Sequence, residues 1–166
     1  MTTMPRTVTK KTAARKTASK AQDATTMLRA DHKLVSGLFE DFEKARSPEK
    51  KKAIVAKICT ELKVHTQLEE EIFYPAFKEA LKDHELVPEA HVEHDSVKAL
   101  IAQVEGVEPD GEMFDAKLKV MGEFVKHHVK EEQTQMFPKA KKSALDLREL
   151  GRQMQARKRV LMAERA

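Results

Sequence analysis

Two apolar stripes in this chain run at helical spacing straight into a histidine and then a glutamate. One reads Val55, Ile58, Leu62, His65, Glu69; the other, 63 residues on, reads Leu118, Met121, Val125, His128, Glu132. Both advance in alternating steps of three and four, so each imidazole and carboxylate lies on the face that the apolar residues turn toward a core. A carboxylate there is costly unless a cation, a set of donors or its own proton compensates it. Two such pairs restrict the chain to helical folds in which the stripes meet and something neutralises them. Each stretch also carries a proline ten residues after its histidine, Pro75 and Pro138.

Two further helices supply partners. The first reads Leu28, His32, Val35, Phe39, Phe42, so His32 interrupts an apolar face. The third reads Val87, His91, His94, Ile101, Val104, with His91 and His94 as i,i+3 neighbours. Aligning His32 with His94 places Val35 on Val97, Leu38 on Leu100 and Phe39 on Ile101, the pattern of two helical hairpins related by pseudo-symmetry. Convergence of His32, His65, Glu69, His91, His94, His128 and Glu132 from four helices gives a candidate metal set. A His–Glu hydrogen bond within one helix would explain one pair; two copies at the same depth strain that explanation. Imidazole and carboxylate without thiolate suit iron or manganese better than structural zinc. His127 sits about 100° around the helix from His128 and His84 falls in a connection, so both stay outside the set.

The length of 166 residues suits one domain with a core. The 35% charged and 5% aromatic residues are those of a helical chain, not a β-sandwich or barrel. The lone Cys59 excludes an internal disulfide and cysteine-rich metal sites. No apolar run approaches the roughly 20 residues that span a bilayer, and no secretory signal is visible, so a cytoplasmic protein is expected.

Periodicity and punctuation predict helices over 24–46, 47–71 with a kinked extension past Pro75 to Leu81, 88–104, 112–136 with a break at Pro138, and 143–163. Ser47 with Pro48 forms an N-terminal cap signal, and Gly151 is expected to weaken the last helix modestly. The first four make an all-α, up-down-up-down four-helix bundle over 25–140. Residues 141–166 add an amphipathic C-terminal helix. Residues 1–24 read as a disordered basic tail: residues 1–26 carry +5 of the total +4, leaving −1 for the rest. Two readings fit such a tail: a solubilising extension, or weak, salt-sensitive contact with nucleic acid or anionic surfaces.

At Asp31-His32, His65-x-x-x-Glu69-Glu70 with Pro75, Glu93-His94, and His127-His128-x-x-x-Glu132 with Phe137-Pro138, the chain resembles the hemerythrin-like, or HHE cation-binding, family. The resemblance implies a non-haem di-iron centre inside a four-helix bundle, with manganese or zinc as possible substitutes. His32, His65, His94 and His128 match terminal imidazole ligands, and Glu69 and Glu132 match bridging carboxylates. His91 matches less closely, because oxygen-carrying members space these histidines four apart. Two octahedral metals need about twelve positions, of which the seven side chains and a bridging oxygen fill about eleven. The remaining position fits dioxygen, nitric oxide or peroxide, handled or sensed, and iron itself is a variant cargo. A ferritin-like di-iron oxidase or peroxidase ranks second, since that family wants Glu-x-x-His pairs.

Overall fold

A computed structural model describes residues 22–165. The tail expected to be disordered lies mostly outside these residues, as does its expected nucleic-acid contact. Every regular element among the described residues is helical. They are α1 (Ala24–Lys44), α2 (Pro48–Leu68), α3 (Tyr74–Leu81), α4 (Leu86–Val104), α5 (Glu112–Glu131), α6 (Phe137–Lys142) and α7 (Leu147–Glu164). Single π-helical turns, Glu69–Phe73 and Glu132–Met136, join α2 to α3 and α5 to α6, so the described chain forms five rods. Four close a ring in which α1 packs on α2, α2 on α4, α4 on α5 and α5 on α1. The fifth, α7, lies outside against α1, α2 and the first π-turn.

Local chemistry sets the boundaries. Asp23 caps α1 by accepting the Thr26 N–H at 2.9 Å, and Ser47 caps α2 by accepting the Lys50 N–H at 3.2 Å, with Pro48 at the first helical position. The third rod starts at Leu86 rather than Pro88, because the Asp83 carboxylate accepts the N–H groups of Leu86 and Val87 at 3.1 and 2.8 Å. The last helix starts at Leu147 rather than Ser143, with Asp146 accepting the Glu149 N–H at 3.0 Å.

Neither proline breaks its helix. Proline has no N–H and its ring crowds the carbonyl four residues back. Each π-turn relieves this by moving the preceding bond one residue: the Tyr74 N–H reaches the Glu69 carbonyl, and the Phe137 N–H reaches that of Glu132. The expected stop at Pro138 is therefore a widened turn, and the rod continues to Lys142.

Two apolar cores sandwich a polar layer. Toward the π-turns lie Leu28, Leu68, Phe73, Tyr74, Phe77, Met136 and Phe137, with Met154 and Leu161 from α7. Toward the other end lie Val35, Val55, Ile58, Leu62, Val97, Ile101, Leu118 and Met121. Burying each large side chain contributes about 1.5–3 kcal/mol, and that is what holds the polar layer shut. Gly151 has a positive reason to be glycine: a Cβ there would lie 2.1 Å from the Gln22 carbonyl oxygen, so its absence lets α7 close on the start of α1. No helix among the described residues is long and apolar enough to cross a membrane.

Candidate metal centre

Between the two cores, α1, α2, α4 and α5 with their π-turns deliver His32, His65, Glu69, His94, His128 and Glu132, all buried. Their donor atoms fall into two groups. His32, His65, Glu69 and Glu132 form one, and Glu69, His94 and His128 form the other, so Glu69 belongs to both. In the first group, His65 Nε2 lies 2.5 Å from Glu69 Oε1, and His32 Nε2 lies 3.0 Å from Glu132 Oε1. In the second, His94 Nε2 lies 3.2 Å from His128 Nε2 and 3.8 Å from Glu69 Oε1.

The His–Glu contacts among these are close without being aligned as hydrogen bonds. His32 Nε2, His65 Nε2, both Glu69 oxygens and Glu132 Oε1 are buried with no hydrogen-bond partner. Unsatisfied polar atoms at this density call for an occupant. Ligands at right angles around an ion, each about 2.1 Å from it, sit about 3 Å apart, close to most of these spacings. The donor set thus fits cations, and the shared carboxylate fits two of them side by side.

Outside the donors, each imidazole is held through its other nitrogen. His65 Nδ1 meets Asp31 Oδ2 at 3.2 Å, His128 Nδ1 meets Glu93 Oε1 at 3.1 Å, and His94 Nδ1 meets Glu70 Oε1 at 3.3 Å. A carboxylate there keeps the proton on Nδ1 and leaves Nε2 free for a metal. His32 has Gln133 instead, whose carboxamide nitrogen lies 2.9 Å from Nδ1. Metal binding through His32 Nε2 needs the proton on Nδ1, and the carboxamide then turns its oxygen to accept it. Cations hold the outer carboxylates in turn: Lys158 of α7 donates to Asp31 at 2.6 Å, and Lys98 donates to Glu70 at 2.7 Å.

Electrostatics follow from this packing. Burial raises the Glu69 carboxyl to about 7, and the neighbouring Glu132 charge adds to the rise. Burial would depress the His65 and His128 imidazoles, but the charge of Glu69 and the bond to Asp31 lift His65 to about 10. The bonds to Glu132 and Glu93 lift His128 to about 11. Burial wins at His94, which falls to about 4.

Six of the seven residues singled out from the sequence converge here. His91 does not join them: its side chain is 45% exposed and its Nδ1 lies 3.6 Å from Glu70. Tyr74 fills the space instead. Its hydroxyl donates to Glu132 Oε2 at 2.7 Å and lies 3.2 Å from Nε2 of both His94 and His128. The π-turn puts it there, because a bond reaching five residues back stacks Tyr74 above Glu69 as an α-turn would stack residue i+4. The proline ten residues after each histidine was the sequence signal for that shift. On the other side of the four imidazoles, Val35, Leu62, Val97 and Val125 help enclose a cavity of about 20 Å³. That volume suits a single water-sized guest.

Comparison with known proteins agrees with this geometry. The chain matches the family described as "Hemerythrin HHE cation binding domain" over residues 23–140. Its fold is that of the crystallised hemerythrin HHE cation binding domain-containing protein, an Rv2633c homolog, from Mycobacterium kansasii. The TM-score is 0.75 at 24% identity, covering 86% of this chain and 89% of that one. It is also 25% identical over 111 residues to a protein named DNA nickase from Nostoc sp. (strain PCC 7120), covering 67% of this chain but only 31% of that protein.

Proposed function

This chain belongs to the hemerythrin HHE cation-binding family, and from that premise we propose that it holds two iron ions and binds, senses or processes a small ligand: dioxygen, nitric oxide or peroxide. The observation that carries the reading is the buried, unpartnered set of donor atoms in two groups sharing Glu69. Thiolate plays no part, since Cys59 is buried in the far core with its thiol pushed up to about 11 by burial. Iron bound by imidazole and carboxylate supplies a redox-active position for a diatomic or peroxide ligand.

The protein's own residues supply the rest. The two apolar cores exclude bulk water from the polar layer, and the outer carboxylates fix the rings that face inward. Tyr74 holds a proton 2.7 Å from Glu132 Oε2, beside the second pair of histidines. The 20 Å³ cavity favours guests of one or two heavy atoms over organic hydroperoxides.

Anaerobic reconstitution with ferrous iron, metal analysis, and visible spectra on adding oxygen test the reading. Two irons per chain and an oxygen-dependent spectrum are expected. Reversal on removing oxygen means carriage or sensing, and irreversible change with peroxide consumption means turnover. A chain that takes up no iron contradicts the proposal.

A second reading concerns nucleic acid, supported by the basic tail and by the relative named DNA nickase. Deleting residues 1–24 and measuring salt-dependent DNA binding and plasmid nicking tests it. Unchanged DNA binding by the shortened chain removes the tail from consideration. The ferritin-like oxidase stays behind the leading reading, since each helix pair here offers His-x-x-x-Glu with lone histidines opposite.

A further inference from the structure

We infer that small ligands reach the centre through the groove between α1 and α5, with Val129 setting its width; the inference rests on the small-ligand reading above. The groove has a volume of about 620 Å³ and brings together His32 and Phe39 of α1 with Gly122, Val125 and Val129 of α5. The 20 Å³ cavity touches all four buried imidazoles and shares His32, Val125 and Val129 with that groove. Those three side chains are the wall between the surface and the centre.

The other approaches are closed by named contacts. The α7 side is crossed by the Lys158–Asp31 pair, and the α4 side by Lys98–Glu70 and by His127–Glu93. Phe73, Phe77 and Phe137 pack the end beyond the π-turns, and Leu62, Ile58 and Val97 pack the other. On the groove side, Gly122 has no side chain to present. A Cβ there would meet the Phe39 ring at 3.2 Å, so Phe39 lies directly across the backbone of α5. Val125 packs against the far core, whereas Val129 belongs to neither core and is only partly buried. It can therefore change size with little effect on the bundle. An apolar neck beneath a charged rim passes small neutral molecules and disfavours ions, whose desolvation there is costly.

Stopped-flow binding of nitric oxide to the anaerobic, ferrous-iron-loaded full chain tests the route, comparing wild type with Val129→Ala and Val129→Phe. Iron content is measured first on each. With iron equal in all three, alanine should speed entry and phenylalanine should slow it by about tenfold, the effect of a barrier raised by about 1.4 kcal/mol. The alanine variant keeps the test valid if the bulkier side chain disturbs folding. Equal rates with two irons bound overturn the route and leave the metal reading intact. A chain that binds no iron overturns the small-ligand reading and this route with it.

Discussion

The first half-site, built on His32 and His65, and the second, built on His94 and His128, are related by the internal repeat, yet their aromatic neighbours differ. Phe137 stacks on His32 with ring centroids 6.0 Å apart, and Tyr74, its counterpart 63 residues earlier, lies over His94 at 5.4 Å. Asp31 holds His65 as Glu93 holds His128, while Gln133 stands where the repeat puts Glu70. The second half-site therefore carries a tyrosyl hydroxyl beside its imidazoles, and a second anionic outer partner, Glu70, besides Glu93. The first has an inert phenyl ring and a neutral amide. On the proposed reading, the Tyr74 hydroxyl can complete the coordination of a cation held by Glu69, His94 and His128, and the matching position at the first half-site, faced by a phenyl ring, is left to a ligand.

The largest effect is expected where the halves join. Glu69→Ala removes the carboxylate common to both groups and should reduce metal from two ions per chain to none, read by elemental analysis. Next, exchanging the aromatic members should invert the asymmetry. Tyr74→Phe should weaken retention of the second metal, and Phe137→Tyr should suppress azide or nitric oxide binding while leaving both metals in place. Unchanged ligand binding in Phe137→Tyr would mean that the two halves do not differ as described.

The outer partners give a smaller, side-specific effect. Lys158→Met frees Asp31 and should lower metal affinity at the first half-site by about 10- to 100-fold, and Lys98→Met should do so at the second. Competition with a chromophoric chelator would resolve the two steps. Protons report the same difference. With His65 at about 10 and His128 at about 11, each half-site of the metal-free chain holds a proton that a cation must displace near neutral pH. Glu69, at about 7, adds another only on the acid side. Proton release should thus grow by about one between roughly pH 8.5 and 6, and affinity should fall as pH falls. Calorimetry in buffers of different ionisation enthalpy measures this. Smallest of all, His91→Ala should leave metal content and affinity unchanged.

That last variant marks where periodicity misled. Val87 can be followed by a step of four to His91 or of three to Ala90, and both continue a helical stripe. The structure buries Ala90, His94, Val97 and Ile101 and leaves His91 on the flank of that stripe, with its ring 5.6 Å from that of Tyr74. The four rods and six converging donors were legible, since each histidine and glutamate lies on the apolar face of its helix, His65, Glu69, His128 and Glu132 extending it and His32 and His94 interrupting it. Tyr74 was hidden by the π-turn, which breaks the α-helical period at the residue where the site begins. The outer partners were visible only as neighbours of ligands in sequence: Asp31 beside His32, Glu70 beside Glu69, Glu93 beside His94, Gln133 beside Glu132.

The claim that two cations share Glu69 is tested most directly by anomalous diffraction at the iron edge from crystals grown with ferrous iron. Two peaks are predicted, one among His32, His65, Glu69 and Glu132, the other among Glu69, His94 and His128 beside the Tyr74 hydroxyl. A single peak, or density only at the surface cluster of Glu93, His127 and Glu131, would contradict it.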